Sequence, residues 1–237
     1  MPLFRAWSPR SRRRFRVWSF ILVVGGLVGW KLALSDNFAT VRPGDLYRSG
    51  QMGARALSAT IDRHRIKTVL NLRGAHPESA WYRAERSATL EAGATQIDIP
   101  LSSCEWMSRA QARALLEVLD SAERPLLIHC FHGSERTGLV SALGELLRPG
   151  STLADAESQF SARYLFFGFG DGVVTHHQLA AYESWLVANH LQHTPDQLRR
   201  WMRNGYVPGT PSREQWKSDP FPLVVTTKPL ARGGDRR

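Results

Sequence analysis

The stretch Pro125–Gly138 reads P-L-L-I-H-C-F-H-G-S-E-R-T-G, and its reading decides the fold. Leu126–Ile128 is an apolar run of the length of a buried strand. It stops at His129-Cys130, and five residues separate Cys130 from Arg136. Leu139–Leu147 then carries the apolar period of a helix. Strand, tight loop and helix N-terminus in succession bring backbone N–H groups together on an anion. A cysteine at the mouth of such a loop is expected to ionise, because helix N-termini and nearby cations lower a thiol pKa from about 8.5 to roughly 3.5–7.5. Gly133 permits a tight bend and close approach of a bound group. Arg136 offers a planar fork that matches two phosphate oxygens. Thr137 can turn its hydroxyl to the sulfur, and Gly138 lets the helix pack closely. The plainer alternative is a structural cysteine followed by an ordinary helix. It leaves His129, Gly133, Arg136, Thr137 and Gly138 unexplained in register.

The run His129-Cys130-x-x-Gly133-x-x-Arg136-Thr137-Gly138 resembles the H-C-x5-R-[ST]-G signature of the protein tyrosine phosphatase superfamily, nearest its dual-specificity-like branch. Val41-Arg-Pro-Gly-Asp-Leu-Tyr-Arg-Ser-Gly-Gln51 and Ile66-Lys-Thr-Val-Leu-Asn-Leu-Arg-Gly74 resemble the opening of compact bacterial and fungal members. The resemblance runs over residues 38–190. It implies a cysteine-dependent phosphatase with Cys130 as nucleophile and Phe131, His132, Gly133, Ser134, Glu135 and Arg136 as the phosphate-binding loop. Thr137 and His129 would support the loop, His129 by hydrogen bonds. It implies no metal and no cofactor. The partner would be a phosphorylated protein or a small phosphomonoester. Dual-specificity relatives carry an Asp general acid upstream of the cysteine. Asp98 has that spacing but falls within an apparent strand, Thr95–Leu101. Glu105, on the loop that follows, sits better. Glu135 matches the acidic residue beside the arginine in some bacterial members. The order of preference for the general acid is therefore Glu135, Glu105, Asp98, with a loop-bracing carboxylate as the alternative for Glu135.

The net charge of +10 belongs to the chain ends. Arg5, Arg10, Arg12, Arg13, Arg14, Arg16 and Lys31 precede any acid, the last ten residues add an excess of three positive charges, and the segment between is formally neutral. This argues against a nucleic-acid-binding core and for a basic flank beside a membrane. Hydrophobic content of 43% is enough for a real core. Two cysteines, Cys104 and Cys130, imply no disulfide framework. Cys104 is expected on a loop bordering the pocket, where an oxidising compartment would permit a regulatory pair with Cys130; an unrelated thiol is the alternative. His176, His177, His190 and His193 have no metal-ligand spacing.

Residues 1–16 read as a basic cytoplasmic tail. Val17–Leu34 reads as a transmembrane anchor, near the lower end of the ~17–25 residues that span a bilayer. Trp18 and Trp30 would lie at the interfaces, and the positive-inside rule would carry the catalytic domain out of the cytoplasm. The alternatives are an export signal cleaved at Ala33-Leu34-Ser35, with Ser11-Arg-Arg-Arg-Phe15 resembling a twin-arginine motif, and a buried core helix.

Residues 38–192 form the expected phosphatase domain. Strands at Leu46–Arg48, Ile66–Leu72, Thr95–Leu101 and Leu126–Ile128 alternate with helices at Ser58–Arg65, Glu78–Ala92 and from Ser108 to Asp120. A helix from Ser151 or Thr152 to about Tyr164 and another over His176–His190 follow. This predicts an α/β fold, a central, mainly parallel sheet flanked by helices, with the N-terminal transmembrane segment appended. Ligands bind beyond the carboxyl ends of such strands, so Arg73 and Cys130 are expected to share a mouth. Leu165–Gly172 is a glycine- and aromatic-rich loop, read as covering the core or lining the pocket. Residues 193–237 read as a short helix and an extended tail. A membrane-anchored phosphatase of the phosphotyrosine or dual-specificity type is the leading function. The alternatives are a phosphoinositide or inositol-phosphate phosphatase, disfavoured by the lack of a permanent cation at the variable loop positions, a non-catalytic phosphate-binding module, and a rhodanese-like sulfur carrier.

Overall fold

The computed structural model describes residues 9–33, 35–170, 172–212 and 223–229. The start of the basic tail (1–8), the cleavage-site residue Leu34 and most of the expected C-terminal tail (213–222 and 230–237) lie outside them. Contacts divide the chain into two units, one up to Asp36 and one from Asn37 onward.

The first unit is α1 (Pro9–Ala33), which takes the arginine cluster and the apolar run into one helix. Among the described residues no helix is long and apolar enough to cross a membrane. The transmembrane reading of 17–34 is corrected accordingly, and the extracytoplasmic placement that rested on it loses its support. The apolar stretch between Arg16 and Lys31 is 14 residues, interrupted by Ser19 and three glycines. At about 1.5 Å per residue it reaches only some two thirds of a ~30 Å hydrocarbon core.

The second unit is built on a sheet of six strands: β1 (Ala39–Arg42), β2 (Leu46–Ser49), β3 (Thr68–Asn71), β4 (Thr95–Asp98), β5 (Leu126–His129) and β6 (Val225–Thr227). Their order is β1-β2-β5-β3-β4-β6. The inner four are parallel, as expected, but the sheet is mixed: β1 and β6 join its two edges antiparallel. β1 enters as the first arm of a hairpin closed by Asp45 N–H donating to Arg42 O at 3.2 Å. β6 comes from the tail that the sequence reads as extended.

The helices are α2 (Ala54–His64), α3 (Ala80–Glu91), α4 (Arg109–Ser121), α5 (Glu135–Leu146), α6 (Leu153–Glu157), α7 (Val173–Ala188) and α8 (Pro195–Arg200). Side chains alternate across β5: Leu126 and Ile128 enter the larger core with α4, α5 and α7, whereas Leu127 enters the smaller core with Leu57, Ile61 and Ala88 of α2 and α3. α4 starts where a capping box starts it, with Ser108 and Gln111 each accepting the other's backbone N–H. α5 is buried from Thr137 to Leu146, which is why its apolar pattern shows no polar face. The helix expected up to Tyr164 ends at Glu157, where Ser158 Oγ donates to Asp155 O at 2.6 Å and competes with the next turn. Leu198, Trp201, Met202 and Tyr206 lie in the same core as the central sheet, so the segment after residue 192 is part of it.

Candidate active site

β5 ends at His129, and its neighbour β3 still holds it there through Leu72 N–H donating to His129 O at 2.9 Å. Beyond that point the chain turns through the loop 130–134 into α5. Three successive loop carbonyls are drawn outward. Phe131 O accepts from Gln51 N–H at 3.0 Å, His132 O from Asn37 Nδ2 at 2.9 Å, and Gly133 O from Arg48 Nη2 at 2.8 Å. In each trans peptide the N–H opposes the C=O. The N–H groups of His132, Gly133 and Ser134 therefore face into the loop, and Gly133 N–H meets Cys130 Sγ at 3.3 Å.

Gly133 is required twice over. Its φ is +71°, and a Cβ there would lie 2.5 Å from Gly50 N. The brace behind it is Arg48, wholly buried in β2. Besides Gly133 O, Arg48 bonds Gln159 O at 2.9 Å and Gln159 Oε1 at 3.0 Å, and its guanidinium lies 3.8 Å from the Tyr164 ring centroid. Burial lowers its pKa to about 10.

Cys130 is 1% exposed, at the floor of this cup. Burial pushes its thiol up, but the Arg136 charge, the Thr137 hydroxyl and N–H, and the Gly133 N–H outweigh burial and hold it below the ordinary thiol value. Arg136 Nη1 donates to Leu101 O at 3.2 Å and Leu72 O at 3.4 Å, which fixes the fork beside the strand ends. Its Nε is buried with no acceptor among the described residues. Thr137 Oγ1 also reaches Ser49 O at 3.4 Å. Phe131 is 52% exposed on the rim. Ser134 turns its hydroxyl away, to Leu165 O at 3.0 Å, and so ties Leu165 to the cup.

Below the cup lies a buried polar network. His129 Nε2 meets Glu85 Oε1 at 3.2 Å, and Glu85 is 2% exposed. Glu85 also accepts from Gln51 Nε2 and, at 3.4 Å, from Gln96 Nε2. Burial opposes both charges of the pair. Mutual attraction prevails, so the carboxyl is held below and the imidazole above its usual value. The sequence places Trp81, Ala84, Ala88 and Leu90–Glu91 near the inner face of α3, and of these Ala88 is buried there. Tyr82, Glu85, Ala88 and Thr89 point inward, and Trp81 stands at the site's edge against Arg73. An apolar count over the helix passes over Glu85 because its partner is a histidine brought up by β5.

The three candidate acids separate. Asp98 is fully buried in β4, where its carboxylate accepts from Tyr82 OH at 2.7 Å, Asn71 Nδ2 at 2.8 Å and Gln96 Nε2 at 3.0 Å; burial still raises its pKa. Glu135 opens α5, half-buried, with its side chain laid against Gly172 at the start of α7. Glu105 is half-buried on the loop after Leu101, whose carbonyl holds Arg136. Cys104 beside it is exposed, with Sγ 3.4 Å from Ser102 Oγ, and both cysteines are free. Among the described residues no three His, Cys, Asp or Glu side chains are grouped to hold a metal.

A model of the tyrosine phosphatase family matches residues 29–147, half of the chain. The chain belongs to this family. The span matched to the family carries Arg48, Arg73, Cys130 and Arg136, and stops at the end of α5. A crystal structure of P. aeruginosa TpbA is similar to this chain, with a TM-score of 0.51 at 25% identity over 72% of this chain and 92% of that one. A cysteine-to-serine variant of TpbA in complex with pTyr gives a TM-score of 0.51 at 24% identity, over 72% and 93%. The core catalytic domain of the PP-IP phosphatase SIW14 from S. cerevisiae is 23% identical, with a TM-score of 0.46, over 66% and 96%. No curated protein matches the sequence. Arg48, Asn37, Gln51 and Glu85 escape a reading centred on the loop. A charge inside the apolar strand Leu46–Ser49 is the one signal that marks Arg48, since an unpaired Arg is rarely fully buried.

Proposed function

We propose that this tyrosine phosphatase family member hydrolyses phosphomonoesters of the phosphotyrosine or dual-specificity type through a phosphocysteine intermediate. The observation that carries the reading is a thiol held below its ordinary pKa on the floor of a cup of inward N–H groups, with Arg136 beside it. Cys130 thiolate attacks phosphorus in line, so the S–P bond forms as the ester P–O bond breaks. The loop N–H groups and Arg136 take up the charge that spreads over the three equatorial oxygens. The leaving oxygen receives a proton from a carboxylic acid on the rim. Water then attacks phosphorus, gives its proton to that carboxylate and frees the thiolate as inorganic phosphate leaves.

Glu105 is the acid this reading favours. Asp98 has its oxygens taken by three donors below the sheet ends, and Glu135 is turned onto α7, whereas Glu105 follows the segment that carries Arg136's carbonyl partner. The assay is turnover of an aryl phosphate in the presence of a metal chelator. The wild type is expected to be active and inhibited by vanadate, and Cys130→Ser to be inactive. Activity that survives in Cys130→Ser overturns the mechanism. For the acid, Glu105→Gln is expected to remove the alkaline limb of the kcat–pH profile and lower kcat by about 10²–10⁴-fold. The same result from Glu135→Gln alone assigns the role there.

A further inference from the structure

A second guanidinium stands at the rim of the cup. Asn71 Oδ1 accepts the backbone N–H of Arg73 at 2.9 Å, which turns the chain outward at the end of β3. Gly74 then passes Pro100 so closely, at φ +84°, that a Cβ would lie 2.9 Å from the Pro100 side chain. The Arg73 guanidinium lies over Trp81, 3.5 Å from the ring centroid, and 5.1 Å from that of Phe131. Nη1 donates to Gln51 Oε1 at 2.9 Å, and the Gln51 amide in turn donates to Glu85 beneath the loop. Aromatic contact and hydrogen bond thus fix the fork, while Nε and Nη2 have no hydrogen-bond partner among the described residues.

The charge at this rim is unbalanced. Burial, and after it repulsion from Arg136, lowers the pKa of Arg73. The carboxylate that Arg73 feels, Glu85, is already engaged by His129. The other acidic group that Arg73 feels is the Cys130 thiol, itself held below its ordinary value. A phosphoryl group in the cup is held by the loop N–H groups and Arg136, which leaves the free edge of Arg73 for what lies beyond it.

We propose that Arg73, with Trp81 and Phe131, forms a rim subsite that takes a second anionic group of the substrate, a phosphate or a carboxylate, next to the phosphoryl group attacked by Cys130. The proposal rests on the phosphatase reading above. It supplies, from the turn after β3, the fixed cation that the variable positions of the loop lack.

Three aryl phosphates on one ring test it: phenyl phosphate, 1,3-phenylene bisphosphate and 3-carboxyphenyl phosphate. The wild type is expected to prefer at least one of the two diacids by about tenfold or more in kcat/KM, mainly through KM, as for a hydrogen bond to an ionised partner. Which diacid is preferred identifies the second group. Arg73→Gln is expected to bring the preference close to one. Arg73→Lys, which keeps the charge without the planar fork, should retain part of it. Should Arg73→Gln fail to fold, a preference undiminished in Arg73→Lys overturns the proposal. So does a wild type that shows no preference, or a preference that persists in a folded Arg73→Gln. Should the wild type hydrolyse none of the three, or Cys130→Ser hydrolyse them equally well, the phosphatase reading itself fails and takes the subsite with it.

Discussion

Chemistry at the scale of single residues depends on side chains that substrate never meets. Arg48 holds Gly133 O from behind while Gly133 offers its N–H to the sulfur, so the inward set of the amides is maintained from outside the cup. Arg48→Met keeps much of the volume but leaves Gly133 O and Gln159 O without their donor. A loss of about 1–3 kcal/mol per buried group left unpaired is expected, read as a lower midpoint in urea. Gly133→Ala should be worse for activity than for solubility, since the new methyl meets backbone at Ser49 and Gly50 and cannot be accommodated by a side-chain rotation. A kcat reduced by about 10²-fold or more, with soluble expression unchanged, is the expected outcome for a displaced oxyanion donor. Arg136→Lys keeps the charge, loses the fork, and is expected to raise KM and lower kcat together.

At the scale of elements, α3 and β5 are joined by one buried ion pair, Glu85 with His129. The folded imidazole pKa is raised, so its share of stability is complete below the unfolded value of about 6.5 and is lost as pH rises through the folded value. The carboxyl is lowered, so its share is present above about 4.3 and is lost as pH falls through the folded value. The advantage in Tm of the wild type over Glu85→Gln is therefore expected to peak in weakly acidic solution and to shrink toward alkaline pH. A positioning role for Glu85 also predicts that Glu85→Gln shifts the acid limb of kcat/KM upward. In the wild type that limb should lie below the ordinary thiol range.

The same elements explain what was legible in the sequence. Four inner strands and the loop-to-α5 junction are local patterns, an apolar run followed by punctuation, and they read directly from residues such as Leu126–Ile128 and Gly133. The antiparallel edges do not read this way. β1 is only four residues with two half-buried positions, and β6 pairs across more than a hundred residues of chain, so neither has a local period strong enough to mark it. The cysteine and arginine of the site were legible for the same local reason. Glu85, Gln51 and Asn37 were not, because each matters only through a partner brought up by the fold. The membrane reading failed on length: hydrophobicity drew attention to Val17–Trp30, but the arginines that continue the same helix cut the apolar part short.

At the scale of the whole molecule, all of the site residues lie in the unit that starts at Asn37, and the cup itself draws on Asn37 through His132 O. A fragment from residue 36 to 237 is expected to match the full chain in kcat/KM on a soluble aryl phosphate. A fragment from residue 39, lacking Asn37, should lose activity, since His132 O and Tyr164 O both lose their donor. Removing everything after residue 192 should prevent folding rather than merely trim a tail, because Leu198, Trp201, Met202 and Tyr206 leave the core with it.

The pairing of β6 with Gln96–Asp98 has a consequence outside catalysis. A proteolytic nick that releases β6 would unmask the flank of β4, a row of backbone donors and acceptors with no mate. Two nicked molecules can satisfy one another there, and growth by such templating is self-propagating. Nicked enzyme is therefore expected to turn cloudy with time and concentration while its initial turnover number stays close to that of the intact chain.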